Sequence, residues 1–407
     1  MSEAAHADAP PAPQGSLSEV FWAFLRLGVT SFGGPVAHLG YYREQLVIRR
    51  RWLDEATFAD LVALCQFLPG PASSQVGFSL GVLRGGGLLG GLAAWFAFTL
   101  PSAIIMFVFA LAAGHFTGPL ADGFLHGLKL VAVAVVAQAV WGMAKTLTPD
   151  KPRAAIALIA LGVVVLFAGS LAQISAIILG ACAGLVLCKP DGAPPSGHLN
   201  FPVTRKAGLV ALLLFAALLL LTPAVVAASG PRAIAMFDAF YRSGALVFGG
   251  GHVVLPLLQA EVVSPGWVSN EAFLAGYGLA QAVPGPVFTF AAYLGAVMTM
   301  PPNGFAGAAI ALIALLLPGM LLVYGLLPFW DSFRKHPTAQ AAMRGTNAAV
   351  VGILGAALYH PVWTNAVTNP RDFALALSGF LLLTVWQLPS WVVVVLLAAA
   401  GTLSAFV

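Results

Sequence analysis

Four basic residues lie inside long apolar stretches of the 407-residue chain: Arg26, Lys129, Arg242 and Arg344. Arg26 and Arg242 each stand seven residues before a glycine pair, Gly33-Gly34 and Gly249-Gly250. An arginine at membrane depth is costly and by default functional. Its planar fork suits a tetrahedral oxyanion. A second pair of features follows each arginine. Residues 66–74 read QFLPGPASS and residues 281–289 read QAVPGPVFT. Two prolines around a glycine (Pro69-Gly70-Pro71 and Pro284-Gly285-Pro286) break a helix. A helix that restarts after such a break presents unpaired N–H groups and its positive dipole end. Hydroxyls stand beside these restarts: Ser31 ahead of the first glycine pair, Ser73 and Ser74 after the first PGP, Thr289 after the second. Guanidinium, hydroxyls and free N–H groups converging on one point make an anion cradle. This is the predicted substrate site.

Other polar residues carry two readings. Arg242 has Asp238 four residues earlier as an internal ion-pair partner, whereas Arg26 has Trp22 there. Lys129 aligns with Asn347 and His126 with Arg344. These either line the same cavity or snorkel from a regular span. His38 and His252 follow the glycine pairs at non-equivalent positions and read either as cavity-lining residues or as satisfied polar histidines. Gln66 and Gln281 precede the PGP turns and are expected to hydrogen-bond the carbonyls freed there. Asp60, Glu44 and Glu261 could carry protons or cap helices. Cys65, Cys182 and Cys188 form no CxxC pair and read as small buried hydrophobes. No Walker loop, HExxH or nucleophile elbow occurs. The sequence therefore predicts no catalytic residue, metal or cofactor, and a chain that is not an enzyme.

The elements that must position these residues are membrane spans. The chain is 59% hydrophobic and 8% charged, with a mean hydropathy of +0.91. Soluble domains carry roughly 25% charged residues. Apolar runs near 20 residues recur to the last residue, which predicts a polytopic all-α integral membrane protein with no nucleic-acid partner and the lipid bilayer as its solvent. The chain also repeats itself. Phe21, Phe24, Arg26, Gly28, Phe32, Gly33 and Gly34 match Phe237, Phe240, Arg242, Gly244, Phe248, Gly249 and Gly250 at an offset of 216. Trp52, Phe58, Gln66 and the first PGP match Trp267, Phe273, Gln281 and the second at 215, and Gly87, Gly90 and Pro101 match Gly304, Gly307 and Pro318 at 217. The expected organisation is a disordered tail (1–16), repeat 1 (17–188), a polar loop with a connecting span at 207–228 (189–232), and repeat 2 (233–407).

Within repeat 1 the elements 17–48 and 54–83 are interrupted, and spans are expected at about 88–113, 121–146, 154–169 and 171–188. Lys and Arg placement orients them. If the interrupted elements crossed the membrane, loop Lys and Arg would divide 9 to 6; as re-entrant hairpins they divide 13 to 2. The expected fold is therefore two repeats, each with two broken re-entrant hairpins followed by about four transmembrane helices. One extra helix joins them and the N-terminus is cytoplasmic. Five crossings between equivalent points make the repeats inverted, the architecture of secondary transporters with sites at the breaks.

At FLRLGVTSFGGPVAHLG, RRRWLDEATFADLVALCQFLPGPAS and their second copies, the chain resembles the chromate ion transporter family in its long, two-domain bacterial form. The likeness runs from about 18 to 407. It implies a protein of the bacterial cytoplasmic membrane that expels chromate and confers chromate resistance, with sulfate as competitor or exchanged ion. Many relatives carry Asn-Ser after the first PGP; here Ala72-Ser73 stands in its place. The residues alone reach an oxyanion transporter, and chromate comes from the resemblance. A sulfate uptake permease or exchanger is the alternative. The sequence is silent on oligomeric state, a homodimer being among the arrangements it allows.

Overall fold

A computed structural model describes residues 15–32, 34–113, 118–167, 170–188, 201–248, 253–330 and 336–404. These are helical, with no strand among the described residues. Repeat 1 runs α1 (Leu17–Thr30), α2 (Gly34–Tyr42) continued as a π-helical stretch (Arg43–Arg49), α3 (Glu55–Phe67), α4 (Ala72–Arg84), α5 (Leu88–Ala113), α6 (Pro119–Leu147), α7 (Lys151–Phe167) and α8 (Ser170–Leu187). The connecting helix is α9 (Arg205–Ser229). Repeat 2 repeats the order. It comprises α10 (Arg232–Ala245), α11 (Val254–Leu258) with its own π stretch (Gln259–Val263), α12 (Asn270–Ala280), a 3₁₀ turn (Val287–Thr289) leading into α13 (Phe290–Val297), and α14 (Gly304–Leu326). It closes with α15 (Pro337–Ala357), α16 (Pro370–Thr384) and α17 (Ser390–Ser404).

Helix starts follow from sequence. Ser16, Asp54, Thr204, Ser269 and Asn369 accept N–H bonds at the starts of α1, α3, α9, α12 and α16. Asp150 and Arg153 join at the start of α7, and the Arg153 hydrogen bonds hold the Asp150 carboxyl below the usual carboxylate range. Among the described residues five helical stretches, those beginning at Leu88, Pro119, Arg205, Gly304 and Pro337, are long and apolar enough to cross a bilayer. Only 6% of the apolar window of α9 is buried within the chain, so its leucines form an exposed apolar face. The chain is a multi-pass membrane protein.

The first four helices of each repeat double back on themselves. Glu19, near the start of α1, pairs with Arg84 at the end of α4 at 3.0 Å. It also accepts from Trp52 Nε1, in the turn between the π stretch and α3, at 3.2 Å. The start of α1, the turn before α3 and the end of α4 thus gather at one side. Repeat 2 does the same: the Thr299 N–H beyond α13 donates to Trp267 O at 3.0 Å, and Arg232, Met236, Trp267, Met298 and Thr299 surround one small cavity.

The remaining helices interlock across the repeats. The α7–α8 pair packs on α15, and the α16–α17 pair packs on α6. Small residues permit both crossings. A Cβ on Gly184 would stand 2.4 Å from Ala341 O, and one on Gly401 2.5 Å from Gly123 O. Polar contacts mark the same swap. His126 of α6 contacts Asp372 of α16 at 2.8 Å, and Arg344 of α15 lies in electrostatic range of Asp150 beside α7.

Candidate functional site

Where the PGP breaks meet the opposite repeat, the chain forms its centre. The Gly70 N–H donates to Val247 O at 2.6 Å, and the Gly285 N–H donates to Ser31 O at 2.8 Å. Val247 and Ser31 are equivalent by the 216-residue offset. Each break therefore closes on the end of the first helix of the other repeat. Only glycine fits: Gly70 has φ +117° and Gly285 φ +94°. A Cβ on Gly70 would meet Gly319 Cα at 2.9 Å, and one on Gly285 would meet Ser102 Oγ at 2.9 Å. The flanking prolines Pro69 and Pro284 are half-buried, and Pro71 and Pro286 are buried.

The two halves differ in chemistry at this centre. In repeat 1, Pro71 is the N-cap of α4 and supplies no side-chain cap, so the first N–H groups of α4 lack an internal acceptor. Ser73 and Ser74 follow, both buried. Ser73 Oγ lies 3.4 Å from His38 Nδ1. Ser74 Oγ is buried without a partner, as are Ser31 Oγ and Thr99 Oγ1. The His38 ring stands edge-on to Phe98 with centroids 5.3 Å apart and touches the Ser31 backbone. Ser102 donates back to Thr99 O. The His38 contacts bring the end of α1, α2, the start of α4 and Phe98 of α5 together around that ring, and Thr99 is the next residue along α5.

At the equivalent positions of repeat 2, Ser31, His38, Ser73 and Thr99 become Val247, Val254, Phe288 and Leu316. Its one hydroxyl, Thr289 Oγ1, donates to Pro286 O at 2.9 Å and closes its own turn. Buried hydroxyls without partners cost stability unless something else binds them. Repeat 1 carries this cost and repeat 2 does not.

The arginines divide the same way. Arg242 bonds Asp238 at 2.8 Å and Glu261 at 3.1 Å, and Asp238 also accepts from Thr222 at 2.6 Å. Arg242 is thus ion-paired, with a second carboxylate on the π stretch that no local spacing announces. In repeat 1 the corresponding residues are Trp22 and Gln45. Arg26 accordingly has no ion pair among the described residues and lies exposed on α1.

Other expected residues fall elsewhere. Gly34 opens α2 at φ +79°; Gly33, Gly249, Gly250 and His252 lie outside the described residues. Gln66 is exposed and does not reach the freed carbonyls. That task falls to Gln75, whose Nε2 donates to Pro69 O at 2.9 Å and Gly319 O at 3.0 Å. Gln281 is buried with Nε2 unpartnered. Arg344 belongs to the α7 end of the bundle and not to the centre. Lys129 is half-buried on α6 with no ion pair among the described residues, and Asn347, its counterpart on α15, buries an unpartnered Oδ1. No group of three metal-ligating side chains occurs among the described residues.

The repeat seen in the helices is also seen in the family comparison, where the Chromate transporter model matches residues 18–185 and again 234–402. The chain belongs to the chromate transporter family. It is similar to a "Probable chromate transport protein" of Synechococcus elongatus, 29% identical over 401 residues, covering 96% of each chain. It is also similar to a "Chromate transport protein" of Pseudomonas aeruginosa, 27% identical, covering 96% of this chain and 92% of that one. A "Chromate transport protein" of Cupriavidus metallidurans is 28% identical over 358 residues, 85% of this chain and 83% of that one. No solved structure matches this chain.

Proposed function

We propose that the chain exports chromate, a tetrahedral dianion, across the bacterial cytoplasmic membrane and so confers resistance to it. The dianion binds where the start of α4 meets Ser31, Ser73, Ser74 and Thr99. The observation that carries this reading is the set of buried, unpartnered hydroxyls at an uncapped helix start in repeat 1, set against apolar residues in repeat 2. A dianion would satisfy those donors and the dipole end together. Arg26, the unpaired arginine, serves the path to the site, while Arg242 is held by its carboxylates. The returning helices act as re-entrant hairpins, so that the two repeats are inverted and the N-terminus is cytoplasmic. The distribution of basic residues and the clustering of Glu19, Trp52 and Arg84 support this reading.

Chromate is supported by the family and by the names of the relatives; sulfate, with the same charge and shape, is the expected competitor. A dianion leaving a negative interior gains ~4.6 kcal/mol at 100 mV, so export needs no ATPase. The test is uptake of radiolabelled chromate by everted vesicles, which expose the cytoplasmic face. Saturable, potential-dependent loading that sulfate inhibits and Arg26→Gln abolishes is expected. Uptake confined to right-side-out vesicles would replace export by a permease.

A further inference from the structure

The equivalent helices α3 and α12 present equivalent faces: Ala59, Val62, Ala63 and Gln66 against Leu274, Tyr277, Gly278 and Gln281. The α12 face is buried along its whole length, Gln281 being only 6% exposed. It packs on α6, where a Cβ on Gly278 would stand 2.2 Å from Leu128 O. Among the described residues the α3 face has no such cover. Ala59 and Gln66 are exposed, Val62 and Ala63 half-exposed, and α3 is not packed on α15, the counterpart of α6. In place of that packing lies a groove of about 400 Å³ lined by Leu39, Arg43, Glu55, Ala59, Ala63 and Gln66. Arg43 and Glu55 form an ion pair at 2.7 Å on its rim, on the side that carries Arg49, Arg50 and Arg51. Gln66 lies three residues before Pro69, so the groove runs from the basic face toward the PGP turn.

We propose that α3 and α12 are two alternating gates, open at α3 and shut at α12 in this conformation, and that the α3 groove is the oxyanion's vestibule on the basic, cytoplasmic side. In the opposite conformation α3 closes on α15 and α12 leaves α6, exposing Leu274 and Gln281. Near-equal packings of one repeated sequence supply the two states. The assignment of the groove to an oxyanion rests on the transport reading above.

Single cysteines at Ala59, Gln66, Leu274 and Gln281, in the full chain with its three native cysteines replaced, are labelled with a water-soluble maleimide in permeabilised membranes. The parent labels at Ala59→Cys and Gln66→Cys and is protected at Leu274→Cys and Gln281→Cys. Gly278→Ala overpacks the α12–α6 contact, and Ala63→Gly gives α3 the glycine that α12 uses at its crossing. Each shifts labelling about tenfold, down at Gln66→Cys and up at Gln281→Cys. Reciprocal change distinguishes gating from unfolding, which raises labelling at both. Equal labelling of Ala59→Cys and Leu274→Cys in the parent overturns the proposal, as does a rise at Gln281→Cys with no fall at Gln66→Cys in the Ala63→Gly chain. Reciprocal labelling that neither chromate nor sulfate alters upholds the gates and removes the oxyanion reading.

Discussion

Ser74→Ala separates a binding hydroxyl from a structural one. Ser74 Oγ is buried and unpartnered, while its neighbour Ser73 reaches His38. Deleting an unsatisfied buried hydroxyl returns its desolvation cost, ~1–3 kcal/mol at most, so Ser74→Ala leaves stability unchanged or raises it. Bound to a dianion, the same hydroxyl makes a charge-assisted hydrogen bond worth ~1.5–3 kcal/mol. Its loss weakens anion affinity about 10- to 150-fold. Thermal unfolding of the purified protein, with and without a sulfate or chromate titration, reads both quantities. The expected pattern is an equal or higher Tm without anion and a much smaller anion-induced rise. A lower Tm with unchanged anion response would refute the reasoning, since it would make Ser74 a packing residue.

The two arginines should respond oppositely. Arg242→Gln strands Asp238 and Glu261, an uncompensated buried charge that costs ~3–5 kcal/mol, visible as poor expression and a lowered Tm. Arg26→Gln, on an exposed and unpaired side chain, holds stability within ~0.5 kcal/mol while transport falls. Gln75→Ala frees Pro69 O and Gly319 O and destabilises by ~1–3 kcal/mol, whereas Gln66→Ala stays within ~0.5 kcal/mol; denaturation of the two side by side checks the exchange of roles.

Much of this was legible before any coordinates. Apolar run length located α5 at 88–113 without error, and α6 and α9 to within two residues at each end. The expected division between α7 and α8 falls on residues 168–169, outside the described residues. The breaks at PGP announced themselves because proline and glycine act on their own neighbours. What escaped was long-range. Apolar periodicity says which face is buried but not which helix covers it, so the cross-packing of α7–α8 on α15 and of α16–α17 on α6 could not be read. Glu261 joins Arg242 from 19 residues away, beyond any helical spacing rule. Gln66 stands out in the sequence because it recurs in both repeats; Gln75 does the bridging because α4 turns it back onto Pro69. Thr99 was missed because a lone threonine in an apolar helix ordinarily bonds its own backbone. The replacement of Ser31, His38, Ser73 and Thr99 by apolar residues in repeat 2 was the available signal, and a reading of differences between the repeats would have found it.

The most direct test of a dianion site built by repeat 1 is chromate loading of everted vesicles carrying substitutions toward the repeat 2 residues. Ser31→Val and Thr99→Leu are compared with Thr289→Val in repeat 2. The account predicts at least a tenfold loss of apparent chromate affinity for each repeat 1 variant at normal expression, about the loss of one charge-assisted hydrogen bond, and little change for Thr289→Val. Unaltered affinity in Ser31→Val and Thr99→Leu, or an equal loss in Thr289→Val, would contradict it.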